Sequence, residues 1–184
     1  MSTQLDQIAK KAKSNPKLRF TSLAHLLTPE FLTETWKQMN RRGASGVDGE
    51  TTKEFEQGLD TRVQVLCERL KRGVYRAPPV RRVEIPKGPG KVGTRPLGIP
   101  TVEDRLLQRA VARILEAVFE ADFLECSYGF RPGRNPHSAL RELRRIIVTK
   151  KVGHLFEADI RGYLDRVPQC PLIHEITPVD RPLL

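Results

Sequence analysis

Val80-Arg81-Arg82-Val83-Glu84-Ile85-Pro86-Lys87-Gly88-Pro89-Gly90-Lys91-Val92-Gly93-Thr94-Arg95-Pro96-Leu97 is the stretch that decides the fold class. Val80, Val83 and Ile85 suit short extended segments with arginines between them. Residues 86–93 form a Pro/Gly-rich turn, and residues 94–97 suit a return strand. A basic β-hairpin is the simplest account. The runs on both sides follow helical periodicity instead, so the chain is expected to be α+β.

Upstream, Thr28 and Pro29 read as an N-cap and first helical position, with Leu32, Trp36 and Met39 at helical spacing as far as about residue 41. Residues 43–49 are a glycine-rich loop. Phe55, Leu59, Val63, Leu66 and Leu70 then predict one amphipathic helix that Gly73 ends. Residues 1–20 read as a polar, flexible lead-in with a break at Asn15-Pro16.

Downstream, Glu103 and Asp104 open a helix whose stripe is Leu107, Val111, Ile114 and Val118, ending near residue 122. A loop is expected over 125–136 and a further helix over 138–148 with Leu140, Leu143 and Ile147. Residues 154–160 alternate, which predicts a strand with Phe156, Ala158 and Ile160 on its core face and Leu155, Glu157 and Asp159 on the other.

Charge narrows the partners. The chain has 184 residues, 39% of them hydrophobic, and carries 32 Lys plus Arg against 22 Asp plus Glu. That is enough apolar content for a core, and the net charge of +10 points to an acidic polymer such as nucleic acid as partner, although a merely solvated basic surface accounts for the charge equally well. Cys67, Cys126 and Cys170 are odd in number and far apart, which implies free thiols and no zinc framework. His25, His137, His154 and His174 have no ligand spacing and read as structural. No stretch reaches the roughly 18 apolar residues of a membrane span, and a cytoplasmic location is the default expectation.

Lys87 and Arg95 flank the glycine-rich turn, a geometry that brings two cations and exposed backbone N–H groups against a phosphate; a solvated basic turn is the plain alternative. Residues 88–93 lack the Gly-Lys-Ser/Thr ending of a P-loop. Tyr128, Phe130, Arg131 and Arg134 combine rings that stack on a base or ribose with guanidinium groups that meet phosphate, although a Tyr-Gly-Phe loop can equally pack inward. Arg81, Arg82 and Arg105 are either contacts to an RNA backbone or surface charge.

Four blocks carry a resemblance. Ile85-Pro86-Lys87, the run from Thr94 through Leu97-Gly98-Ile99-Pro100 to Arg105, Ser127-Tyr128-Gly129-Phe130-Arg131-Pro132-Gly133-Arg134, and Ala158-Asp159-Ile160-Arg161-Gly162-Tyr163 closely resemble the N-terminal half of reverse transcriptases encoded by group II introns. Gly46-Val47-Asp48-Gly49 and the helix after it extend the likeness over residues 31–167. It implies a fingers-like helical region with a basic β-hairpin over 21–150, and an incomplete polymerase palm whose first strand lies in 151–167. An unrelated proline-rich tail occupies 168–184.

The resemblance also implies roles. Lys87, Arg95 and Ile160 would contact an incoming dNTP, and Arg81, Arg82, Arg105, Tyr128, Phe130, Arg131 and Arg134 would contact RNA. Asp159 would be the catalytic metal ligand for Mg²⁺, with the Ile160 carbonyl as a second oxygen; Asp165 reads equally as an N-cap. Leu164 stands where the family carries an aromatic that restricts the nucleotide sugar. A two-metal centre needs several carboxylates, and the chain has no Asp-Asp pair. The expectation is therefore a truncated reverse transcriptase/maturase that binds RNA but does not polymerise alone, with Mg²⁺ engaged only if a complementing palm is supplied. A non-enzymatic RNA-binding module that assists splicing, or one half of a split polymerase, is the alternative.

Overall fold

Leu5 and Ala12 share one helical face and are both buried, so the segment expected as a polar lead-in instead forms α1 (Thr3–Ser14). The computed structural model describes residues 3–90 and 92–160. By internal contacts the chain divides into a unit of Leu23–Ile114 and a unit that joins its first 22 residues to those from Leu115 onward.

In the Leu23–Ile114 unit, Thr28 caps α2 (Pro29–Gln38) as expected: its Oγ1 accepts from the Phe31 N–H at 3.2 Å. The single helix expected over 55–70 is two, α3 (Thr52–Glu56) and α4 (Leu59–Lys71). The hydrophobic spacing runs through the break without a gap. Gly58, a poor helix former, supplies the non-helical backbone that ends one and starts the other. A reciprocal capping box of Thr51 and Glu54 begins α3 and holds the exposed Glu54 carboxyl below the usual carboxylate range, chiefly through the Thr51 backbone N–H. At the far end of α4, Gly73 takes φ 66°; its N–H bonds Leu70 O and that of Val74 bonds Arg69 O, a Schellman ending that matches the predicted stop.

The hairpin forms where the sequence placed it. β1 (Arg81–Pro86) pairs antiparallel with β2 (Thr94–Ile99), Val83 opposite Leu97 and Ile85 opposite Arg95. It is the two-stranded sheet of the described residues, and with the helices it makes the fold α+β. Thr101 then caps α5 (Val102–Phe119), whose N-terminal part sits in this unit.

Core packing centres on Trp36 and Phe55, both fully buried with ring centroids 5.2 Å apart, together with Leu32, Leu66 and Leu106. Arg41 stacks over Trp36 and Arg62 over Phe55, closing the edges of the ring pair with cations. Buried Arg113 donates to Thr35 Oγ1 at 2.7 Å and to Glu34 at 2.7 Å while lying over Phe31. Its charge is thereby met inside the unit.

In the other unit, α6 (Pro136–Thr149) starts at Asn135, whose Oδ1 accepts from the Ser138 N–H at 2.9 Å. None of its residues is buried. The strand expected over 154–160 is absent: these residues have no regular structure, and all are exposed. Alternation supplies two faces, but a strand also needs a ladder partner, and none among the described residues pairs with this segment. Residues 161–184, including Asp165 and the proline-rich tail, lie outside the described residues.

Candidate nucleic-acid interface

Register places Arg81, Val83, Ile85, Arg95, Leu97 and Ile99 on one face of the hairpin. Arg81 and Arg95 are exposed; beside them Val83, Ile85 and Ile99 are half-buried and Leu97 is exposed. This is a cation-flanked apolar platform. The opposite face is partly neutralised, because Arg82 Nε meets Glu84 Oε1 at 2.9 Å and Thr94 Oγ1 donates to the other Glu84 oxygen. At the turn, the Lys87 N–H closes onto Gly93 O at 3.0 Å, and Gly90 and Gly93 take positive φ. Lys87 and Arg95 therefore sit at one end of the hairpin, as their positions about the turn suggested.

Arg105 lies in the first turn of α5 beside the 43–49 loop. Gly46 allows that approach: a Cβ there would stand 2.6 Å from Thr101 Cα and 2.7 Å from Thr101 N. A side chain at Gly43 would fall 2.1 Å from Arg105 Nη1. The Nε and Nη2 groups of Arg105 are buried and have no hydrogen-bond partner among the described residues. Such donors are costly to leave unmet, about 1–3 kcal/mol each, and their burial keeps them out of reach of a phosphate at the surface.

The 123–134 loop divides the residues that the sequence grouped together. Arg131 faces inward: Nη2 meets Glu120 Oε1 at 2.7 Å, Nη1 donates to Leu124 O at 2.7 Å and Ser127 O at 2.9 Å, and the guanidinium lies over Phe123. Arg134 binds the Glu125 carboxylate at 2.7 Å and its carbonyl at 3.0 Å, over the Tyr128 ring. The Arg134 hydrogen bond holds the Glu125 carboxyl below its ordinary range and raises the guanidinium in turn. Phe130 alone faces out, fully exposed at φ 54°. A left-handed phenylalanine costs roughly 1–3 kcal/mol and persists only where its surroundings impose it.

Asp159 and Ile160 are exposed at the end of the unstructured 152–160 segment, remote in sequence from any second described carboxylate except Glu157. Among the described residues no group of three or more His, Cys, Asp or Glu could hold a metal ion. The donors among the described residues do not fit a two-metal centre by themselves. An open recess lined by Glu30, Glu34, Asp60 and Lys37 is acidic and unsuited to a polyanion.

One group of cations escaped the sequence reading. Arg141, Arg144 and Arg145 share a face of α6, and their spacing of three and four residues was the signal that could have found them.

A basic α+β chain with a cation-flanked hairpin has the charge and geometry that suit a polyanion. Comparison with known proteins narrows this. The chain is homologous to several group II intron-encoded, reverse transcriptase/maturase-like proteins. It is 35% identical over 173 residues to the group II intron-encoded protein LtrA of Lactococcus lactis subsp. cremoris, covering 92% of this chain and 28% of that protein. It is 38% identical over 168 residues to protein YkfC of Escherichia coli K12, covering 88% of this chain and 44% of that one. Nuclear intron maturase 1, mitochondrial, of Arabidopsis thaliana is 40% identical over 70 residues, 37% of this chain and 9% of the maturase. The chain thus spans less than half the length of these relatives. No family model matches it. Among the described residues no helix is long and apolar enough to cross a membrane.

Proposed function

We propose that the chain is the RNA-binding, fingers-type part of a group II intron-type RNA-directed DNA polymerase with maturase character, and that it does not polymerise by itself. The observation that carries this reading is the hairpin register, which sets exposed Arg81 and Arg95 about an apolar platform, the combination that meets phosphate and base or ribose together. Homology to intron-encoded proteins supports RNA as the polyanion. Lys87 and Arg95 are the residues for a dNTP triphosphate. Asp159 is one carboxylate toward a Mg²⁺ site, whose remaining ligands would come from a complementing palm.

Two measurements on the purified chain test this. Fluorescence anisotropy with a labelled structured RNA should give binding that weakens steeply with salt, and Arg81→Gln with Arg95→Gln should weaken it further. Primer extension on an RNA template with Mg²⁺ and dNTPs should give no product from the chain alone. Product on adding the part of LtrA that the alignment does not cover would mark a split polymerase; continued absence would leave the non-enzymatic RNA-binding module. Absence of RNA binding, or extension by the chain alone that Asp159→Asn abolishes, would overturn the proposal.

A further inference from the structure

Helix α6 has two unlike faces. Leu140, Leu143 and Ile147 form an exposed apolar stripe, while Arg141, Arg144 and Arg145 form an adjoining basic face, with Arg144 at the border of the two. Across residues 136–151 there are five cations, with Lys150 and Lys151 just past the helix end, and a single carboxylate, Glu142. We infer that this face is a second RNA-backbone site, resting on the RNA-binding reading above.

The partners of these cations separate them from the arginines that the fold neutralises. Arg69, Arg113, Arg131 and Arg134 are each tied to a carboxylate inside the fold. Arg144 has no ion pair among the described residues, and Arg141 makes one bond to Ser138 Oγ at 3.2 Å. Only Arg145 is met, by Glu142. Like charges three and four residues apart weaken a helix by a few tenths of a kcal/mol per pair, and no buried residue of α6 offsets that. The dipole at a helix C-terminus accounts for Lys150 and Lys151. It does not account for Arg141 and Arg144 in the middle of the helix.

A polyanion laid along this face removes the repulsion. The planar guanidinium fork suits phosphate oxygens better than an ammonium does. A basic amphipathic helix can also lie on a membrane surface, but this stripe holds two leucines and an isoleucine and no aromatic anchor.

The test is anisotropy of the full chain with a fluorescein-labelled RNA hairpin across a KCl series. Arg141→Gln combined with Arg144→Gln should keep its helicity by circular dichroism, lower the slope of log Kd against log salt by about two, and weaken binding roughly tenfold or more at about 0.1 M salt. Arg144→Gln alone, which loses no bond inside the fold, should lower the slope by about one. Replacing both arginines by lysine should restore most of the slope. Unchanged slope and affinity in the glutamine variants, while the wild-type chain binds RNA, would overturn the α6 site and leave the functional proposal standing. A wild-type chain that binds no RNA at any salt would overturn both. Loss of binding to phosphatidylserine-containing vesicles without any loss of RNA affinity would assign the face to membrane instead.

Discussion

Replacing Arg131 with alanine should loosen the 120–135 segment and leave the charge available to RNA nearly unchanged. The side chain is 5% exposed and serves three acceptors at once: the Glu120 carboxylate, Leu124 O and Ser127 O. Alanine removes all of these bonds and leaves two carbonyls without their charged donor. A hydrogen bond to a charged group is worth about 1.5–3 kcal/mol when well buried. Glu120 keeps 39% exposure and rehydrates, so the ion-pair share is discounted toward the surface range. The expected loss is about 2–4 kcal/mol. At roughly 2–4 °C per kcal/mol for a chain of this size, the thermal midpoint should fall by about 5–15 °C. Amide exchange should quicken first across residues 120–135, where Phe130 is freed from its left-handed backbone. Arg131→Lys should recover little, because a single ammonium cannot reach a carboxylate and two carbonyls in the same fork geometry. A midpoint within one degree or so of wild type, with RNA affinity lost by Arg131→Ala and regained by Arg131→Lys, would refute the scaffold role.

Two further predictions come from half-buried Tyr75 and buried Cys67 of the Leu23–Ile114 unit. Burial, followed by the Asp104 carboxylate that accepts its hydroxyl at 3.0 Å, raises Tyr75 above its ordinary value near 10. The folded state thus holds this proton more tightly than the unfolded chain, and the stability gained is complete below pH 10 and declines as pH rises above it. Urea midpoints of wild type should fall more between pH 9 and about 11 than those of Tyr75→Phe; parallel slopes for the two would sink the idea. Cys67 donates to Leu27 O at 3.2 Å and is buried, which pushes its thiol up, whereas Cys126 is exposed. In a Cys170→Ser background, iodoacetamide should modify Cys126 at least about a hundredfold faster than Cys67, since reaching Cys67 requires local opening. Equal rates by mass spectrometry would contradict the packing of α4.

Local chemistry made much of this fold legible. Thr28-Pro29 gave a helix start because a hydroxyl cap and a pre-set φ act within one turn, and the Pro/Gly cluster between the arms that carry Val83, Ile85 and Leu97 gave the hairpin with its turn in place. What failed was longer in range or finer in detail. Gly58 breaks a helix although Phe55, Leu59 and Val63 keep perfect spacing, because periodicity records which face is apolar and not whether the backbone is continuous. Residues 154–160 alternate as a strand should, yet alternation cannot provide the neighbour that completes a ladder. For the candidate site, the position of Lys87 and Arg95 about the turn could be read directly. The division of labour in the 123–134 loop could not, since Arg131 and Arg134 differ from Arg81 and Arg95 only in the carboxylates that folding brings to them.

That difference has a physical consequence for any polyanion. A guanidinium held between a carboxylate and backbone carbonyls would have to surrender those bonds before meeting a phosphate, so its attraction for RNA is largely spent inside the fold. Cations without such partners keep their full charge and their counterions, and counterion release is what drives binding to a phosphate backbone. Arg81 and Arg95 on the hairpin, and Arg141 and Arg144 on α6, are of this second kind. Affinity and its salt dependence should therefore follow these residues. Arg113 and Arg131, equal in formal charge, should govern stability instead.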